Sequence, residues 1–279
     1  MVKPIHRQTR TAAVLAIGAL AGSYLHKRIR AKRDFAEYSY PSQFGTAEIF
    51  TLTSESGEPV RVLNVGGGFQ SATYLGKKRF EPVFEYYRAF DHMFDCGNTI
   101  NRVLMIGGGG FSYPKHLLTT REGVSIDVVE ADPAIVDIAR KHFFVDELEK
   151  KYGTGNGRRL NIWTGDGLKY LSDSSGKSYD AIINDAFDGA NPAVSLLTST
   201  ALAKAKTNMT DDGLYLLNTV IAEDDNEMLR TYMEILLEGF CNVHAIKCVD
   251  EEFAGEDNWL LIASDSQHYF DGVEVMLTR

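Results

Sequence analysis

Cysteine is scarce in this chain of 279 residues: Cys96, Cys241 and Cys248 are three in number, scattered, and in no CxxC spacing. Such usage indicates neither a disulfide framework nor a cysteine zinc site, and a reducing cytoplasm is the simplest compartment for it. The seven histidines form no HxxxH or HExxH pair, so no metal is expected. Apolar runs are short as well. The longest N-terminal one, residues 11 to 25, falls below the roughly 20 residues that a spanning helix needs. Basic residues are lacking over most of the chain: eight Lys or Arg and no acid lie within residues 1–33, which leaves 21 basic against 38 acidic residues beyond, a net charge of −17. A body this acidic excludes the electrostatic grip that nucleic acid requires and suits a small cationic ligand.

What is present is a 44% hydrophobic composition, enough for a sizeable core. Three regions are expected. Residues 1–33 form a basic and apolar N-terminal segment. There "TAAVLAIGALAGSYL" is flanked by Lys3, Arg7 and Arg10 before it and by "HKRIRAKR" after it, which fits a helix lying on a membrane surface, or one merely packed on the domain, better than an exported signal. Residues 34–98 form a small antiparallel β unit followed by a helix. The β unit runs through "AEIFTLTSESGEPVRVLNV" and "GGGFQSATYL"; the helix is drawn from the spacing of Phe80, Val83, Phe84, Tyr87 and Phe94, with Pro82 in its first turn. No helix directly follows Gly66 to Gly68, so that glycine run is a turn between strands.

From residue 99 onward, short apolar strands alternate with amphipathic helices: "RVLMI" (102–106), "SIDVVE" (125–130), "LNIWT" (160–164), "DAIIND" (180–185) and "LYLLNT" (214–219). The alternation predicts an α/β, Rossmann-like domain over 99–279, with a mostly parallel sheet covered on both faces. Two last runs, "NVHAIKCV" (242–249) and "NWLLIASD" (258–265), have no helix between them and are expected to close the sheet as an antiparallel edge.

Ligands of such sheets bind beyond the carboxyl ends of the strands, so the strand-ending residues carry the information. The first strand ends in Gly107, Gly108, Gly109 and Gly110, where backbone approaches a ligand without a Cβ in the way; such runs also serve plain turns. The second ends in Glu130, twenty residues after Gly110, where a nucleoside-binding unit places the acid that accepts from ribose hydroxyls. The third ends in "TGDG", whose Asp166 either accepts from an exocyclic amine such as adenine's or caps the helix that follows. The fourth ends in "NDAFDGANP", where Asp185 and Asp188 are either site acids or members of a solvated turn. No Arg, Lys or P-loop pattern accompanies them. A polyphosphate is thus disfavoured and a cationic, adenosine-bearing ligand favoured.

In order and spacing, "VLMIGGGG", "DVVEADPAIVDIARKHF", "TGDGLKYL" and "YDAIINDAFDGANPAVSLLT" together resemble the polyamine aminopropyltransferases, spermidine synthase and its relatives, over roughly residues 45–265. The resemblance implies the class I S-adenosylmethionine-dependent methyltransferase fold with a small N-terminal antiparallel β unit and an antiparallel last strand. It implies a homodimer, decarboxylated S-adenosylmethionine as co-substrate and a polyamine such as putrescine as acceptor. Residue by residue, it makes Glu130 the ribose acid, Asp166 the adenine contact, Asp185 the catalytic acid, Asp188 its partner toward the amine, and Gln70 and Tyr87 substrate contacts. Two departures accompany it. Gly110 stands where the family has an acid that meets the donor's amino end, which removes one device for rejecting intact S-adenosylmethionine. Arg88 stands beside Tyr87, where a cation near the site would oppose a diamine. Two other readings follow from the same motifs: a methyltransferase using the intact donor, and a nucleoside-binding homologue without turnover.

Overall fold

The computed structural model describes residues 36–54, 56–173, 178–188, 191–222, 225–249 and 257–279. The stretch 11–25 and the rest of segment 1–33 lie outside the described residues. Four strands, β1 (Tyr38–Ser42), β2 (Gly45–Thr53), β3 (Pro59–Val65) and β4 (Gly68–Tyr74), form an antiparallel sheet in sequence order. Both faces of this sheet carry apolar residues: on one, Ala47, Ile49, Leu63 and Val65 pack against Ile135, Ile138 and Phe143, and on the other, Phe50, Val60, Val62 and Ala72 pack with Val83. Between β2 and β3 the Ser54 amide donates to the Glu58 carbonyl at 2.9 Å.

The segment after β4 departs from expectation. Instead of one helix from Phe80, it holds only α1 (Tyr86–Ala89), which runs into a 3-10 turn over Phe90–Phe94. Pro82 lies ahead of the helix and not in its first turn. Tyr87, Phe90 and Met93 are buried and join the core beneath the large sheet, and Phe84 and Phe94 pack partly buried against it, so most of the aromatic stripe is core packing.

That sheet has eight strands in the order β14-β12-β13-β11-β8-β5-β6-β7. Parallel members are β5 (Arg102–Ile106), β6 (Ser125–Glu130), β7 (Leu160–Thr164), β8 (Tyr179–Asn184) and β11 (Met209–Ile221). Alternate residues feed the two faces. Val103 and Met105 lie in one core with Ala181, Ile183, Leu214 and Leu216, whereas Leu104 and Ile106 lie in the other with Ile182, Tyr215 and Leu217. Near-continuous apolar strands are therefore required, since each faces helices on both sides. The covering helices are α2 (Ser112–Thr120), α3 (Pro133–His142), α4 (Val145–Tyr152), α5 (Gly167–Asp173), α6 (Ser199–Thr207) and α7 (Asn226–Leu237).

The C-terminal strands close the sheet with antiparallel pairing, as expected, and one further strand extends it. β13 (Asp257–Ser264) is not at the edge: it lies antiparallel between β11 and β12 (Asn242–Cys248), and β14 (Val273–Thr278) pairs with β12 as the outermost strand. The reason is burial. β13 carries the apolar run Trp259–Ala263, which is covered on both faces, while β14 exposes Val275 and Met276.

A buried lysine ties the small sheet to the helices that cover the large one. Lys115, in α2, donates to Thr73 Oγ1 at 2.9 Å and to the Phe143 carbonyl at 3.3 Å, tying β4 to α2 and to the turn between α3 and α4. With no carboxylate among these partners, burial pushes the Lys115 pKa down to about 7.

Candidate functional site

The strand register gathers the expected residues. Ile106 pairs with Val129 and with Asn184, and Glu130 pairs with Thr164, so β5, β6, β7 and β8 end in one row. The glycine loop, Glu130, Asp166 and Asp185 leave from that row.

Glycine is needed at position 107 for two reasons. Its φ is +97°, and a Cβ there would stand 2.3 Å from the Asp185 carbonyl oxygen. The loop beyond it wraps the Glu130 carboxylate: Oε2 accepts from the Gly108 and Gly109 amides at 2.8 and 3.0 Å, and Oε1 accepts from the Asp132 amide at 3.0 Å. A carboxylate offers about four acceptor positions, so three amides leave one for a hydroxyl. β4 lies across the loop, with the Gln70 carbonyl oxygen 3.4 Å from where a Gly109 Cβ would be. Gln70 is thus at the site through its backbone, and its side chain is half-buried.

Gly110 is enclosed. A Cβ there would meet Ser71 Oγ at 2.6 Å, Ser71 Cβ at 2.9 Å and Phe143 at 3.0 Å, so position 110 admits no acid without rearrangement of β4. Phe111 follows in the left-handed region at φ 56° with its ring fully buried, a strained conformation for a non-glycine residue. The space beside Gly110 is filled by neutral hydroxyls: Ser71 and Ser112 are 3.1 Å apart, and the Ser112 hydroxyl donates to the Ala72 carbonyl at 2.9 Å.

Tyr87 is brought to the same place by α1. Burial raises its phenol pKa, the Asp185 charge raises it further, and interactions with Tyr86, Ser71 and Ser112 oppose both. Arg88, the next residue, is exposed, pairs with Glu85 at 3.3 Å and donates to the Pro82 carbonyl. The expected cation beside the acceptor therefore turns away from Tyr87 and Asp185, because adjacent helical residues point about 100° apart.

Asp185 is the perturbed acid of the group. Its amide donates to the Ile106 carbonyl at 2.9 Å, which fixes the backbone where β8 ends. Burial pushes its carboxyl up to about 7; a hydrogen bond from Asn218 opposes this, and the Glu130 charge adds to it. Asn218 Nδ2 donates to Asp185 Oδ1 at 2.7 Å. Sequence reading missed Asn218; its one signal is a polar residue near the carboxyl end of the apolar strand "LYLLNT".

The other two acids lie further out. Asp166 is exposed and accepts from the Lys169 amide at 2.7 Å, so it caps the first turn of α5. Asp188 is exposed on β9 (Phe187–Asp188), which forms a two-stranded hairpin with β10 (Asn191–Pro192). Among the described residues, no three or more His, Cys, Asp or Glu are grouped to hold a metal ion, and no helix is long and apolar enough to cross a membrane.

Comparison with solved structures matches this architecture. A probable spermidine synthase from Corynebacterium glutamicum aligns with a TM-score of 0.65 and 19% identity, covering 83% of this chain and 81% of that one. A spermidine synthase in complex with the transition state analogue AdoDATO aligns with a TM-score of 0.64 and 19% identity, covering 83% and 74%. At this identity the likeness establishes the fold. Among curated proteins, the polyamine aminopropyltransferase of Clostridioides difficile is 26% identical over 174 residues, which is 62% of this chain and 56% of that one. The chain spans about half the length of the curated relatives it matches. The model of the spermine/spermidine synthase domain matches residues 83–242, more than half of the sequence and the stretch from α1 through the start of β12. The chain belongs to the spermine/spermidine synthase domain family.

Proposed function

We propose that this protein transfers the aminopropyl group of decarboxylated S-adenosylmethionine to a primary amine of a diamine such as putrescine, releasing methylthioadenosine. The observation that carries the reading is Asp185. It is a half-buried carboxyl raised to about 7, with its backbone packed against the glycine loop and its charge acting on the buried Tyr87 phenol.

The chemistry asks little else of the protein. The bond from the sulfonium to the aminopropyl carbon breaks with its electron pair going to sulfur, and the amine lone pair forms the new carbon–nitrogen bond. Sulfur leaves as a neutral thioether, so the remaining demands are alignment and removal of one ammonium proton. Asp185 takes that proton and passes it to solvent. Tyr87, held neutral at any physiological pH, orients the incoming amine from the opposite side. Glu130 accepts from a ribose hydroxyl with its remaining acceptor position, and the amides of Gly107 to Gly110 line the donor. Asp166 meets the adenine amine with the edge of its carboxylate that does not cap α5. Gln70 contacts the substrate from β4, and exposed Asp188 draws the distal ammonium of the diamine.

A net charge of −17 over residues 34–279 favours two cationic substrates over an anionic one. The same reading carries a cytoplasmic homodimer and, from the basic flanks of residues 11–25, contact with an anionic membrane surface. Sedimentation of the full chain with and without anionic vesicles tests both.

The decisive measurement is mass-spectrometric detection of methylthioadenosine when the protein, decarboxylated S-adenosylmethionine and putrescine are combined. Calorimetric titration with both donors accompanies it. Release of methylthioadenosine that depends on putrescine supports the reading. Tighter binding of intact S-adenosylmethionine with no methylthioadenosine formed sinks it.

A further inference from the structure

The side chain behind Asp185 is itself held by another amide. Asn258 Nδ2 donates to Asn218 Oδ1 at 2.9 Å, and Asn218 Nδ2 donates to Asp185 Oδ1 at 2.7 Å. Asn218 is 3% exposed, on β11, and Asn258 is half-buried, on the neighbouring antiparallel β13. We infer that Asn258 and Asn218 form an oriented amide relay that positions Asp185 and sets which of its oxygens receives the substrate proton.

The direction of the relay follows from donor and acceptor chemistry. An ionised carboxylate only accepts, so Asn218 must present its amino side to Asp185. A terminal amide rotates about one bond, and on its own Asn218 would be free to turn its carbonyl oxygen toward the carboxylate. Asn258 favours the observed orientation by donating into that oxygen. One acceptor position of Asp185 Oδ1 is thereby taken, which leaves Oδ2 as the more basic oxygen.

The relay also favours ionisation of Asp185, against the larger effect of burial. The groups acting on Asp185 from the packed elements are Glu130 on β6, Tyr87 on α1 and Asn218 on β11. Of these, Glu130 disfavours the charged form and Asn218 favours it. Losing a hydrogen bond to a buried charge is expected to raise the proton affinity of Asp185 roughly 10- to 100-fold.

This inference rests on the aminopropyl-transfer reading for its catalytic meaning but not for its test. The proton affinity of Asp185 is measured directly by NMR titration of carboxyl-labelled aspartate in the full chain, assigned with Asp185→Asn. Asn218→Ala is expected to raise it by the factor above. Asn258→Ala should raise it by less, and the double variant should match Asn218→Ala alone, since Asn258 acts only through Asn218. If transfer is observed, the acid limb of the kcat/KM profile should move by the same factor, with the KM for the donor unchanged. Should Asn218→Ala not fold, Asn258→Ala decides, because it leaves the buried strand intact. An unchanged Asp185 titration in the folded variants overturns the relay. Failure of transfer with a shifted titration overturns the proposed reaction and leaves the relay standing.

Discussion

A Cβ added to Gly107 would lie 2.3 Å from the carbonyl oxygen of Asp185, so the glycine loop and the acid-bearing turn are in direct backbone contact. Neither can move alone. Gly107→Ala is expected to separate them and to strain a backbone held at φ +97°, at a cost of roughly 1–3 kcal/mol before any steric term. Chemical denaturation should register that loss, and calorimetry should register at least tenfold weaker donor binding. Wild-type affinity in the variant would show that the contact does not shape the donor site.

Asp185→Asn removes the base while preserving shape and the amide contacts around it. Turnover should fall roughly 10²- to 10⁴-fold, with donor affinity changed less than about threefold. In the unsubstituted protein the carboxyl is raised to about 7, so the active, ionised form is lost as pH falls through that value. Activity should therefore decline below about pH 7, measured as kcat/KM across pH 5–9. A flat acid limb would remove Asp185 from the proton-transfer step.

Lys115 gives stability a pH dependence of the opposite kind to a salt-bridged lysine. Its folded pKa is depressed to about 7 from the ordinary 10.5, so between those values the unfolded chain binds the extra proton. Stability should rise with pH across that window, with a slope of at most about 1.4 kcal/mol per pH unit, and the contribution is lost below pH 7. The difference between wild type and Lys115→Met in urea titrations at pH 6, 8 and 10 isolates the effect. No change in that difference with pH would contradict it.

Gly110→Asp alone is expected to destabilise the protein, because the new side chain meets Ser71 Oγ at 2.6 Å and Ser71 Cβ at 2.9 Å. Ser71→Gly vacates both positions. The double variant should recover part of the lost melting temperature, leaving a coupling of about 1 kcal/mol in a double-mutant cycle. Additive losses would place the strain elsewhere.

Arg88 is exposed and paired within its own turn, so Arg88→Ala should change stability by less than about 0.5 kcal/mol and leave the KM for the amine within twofold. A marked fall in that KM would mean that the cation does face the acceptor.

Much of the architecture was legible because burial leaves a local trace. The strands 102–106, 125–130 and 160–164 coincide with their apolar runs, and the glycines and acids at strand ends stand where a parallel sheet gathers ligands. β1, β14 and the short helix α4 were not legible. β1 and β14 are largely exposed, so polar and apolar residues alternate without a buried face to reveal them, and only two residues separate α4 from the end of α3. The aromatic stripe from Phe80 to Phe94 has helical spacing, yet Pro82 and tertiary packing confine the α-helix to Tyr86–Ala89.

By itself, the amino-acid order determined which segments are buried on two faces, that they alternate with helices, and that four strands end in glycines or acids. Those are properties of neighbours in the chain. Only the tertiary structure decided that β13 enters between β11 and β12, that Gly110 is closed by Ser71, that Arg88 turns outward, and that Asn258 steers Asn218 toward Asp185. Each depends on groups far apart in sequence, 33 residues for Asn218 with Asp185 and 40 for Asn258 with Asn218. Strand order and cross-strand register bring such groups together, and a local pattern of polar and apolar residues carries neither.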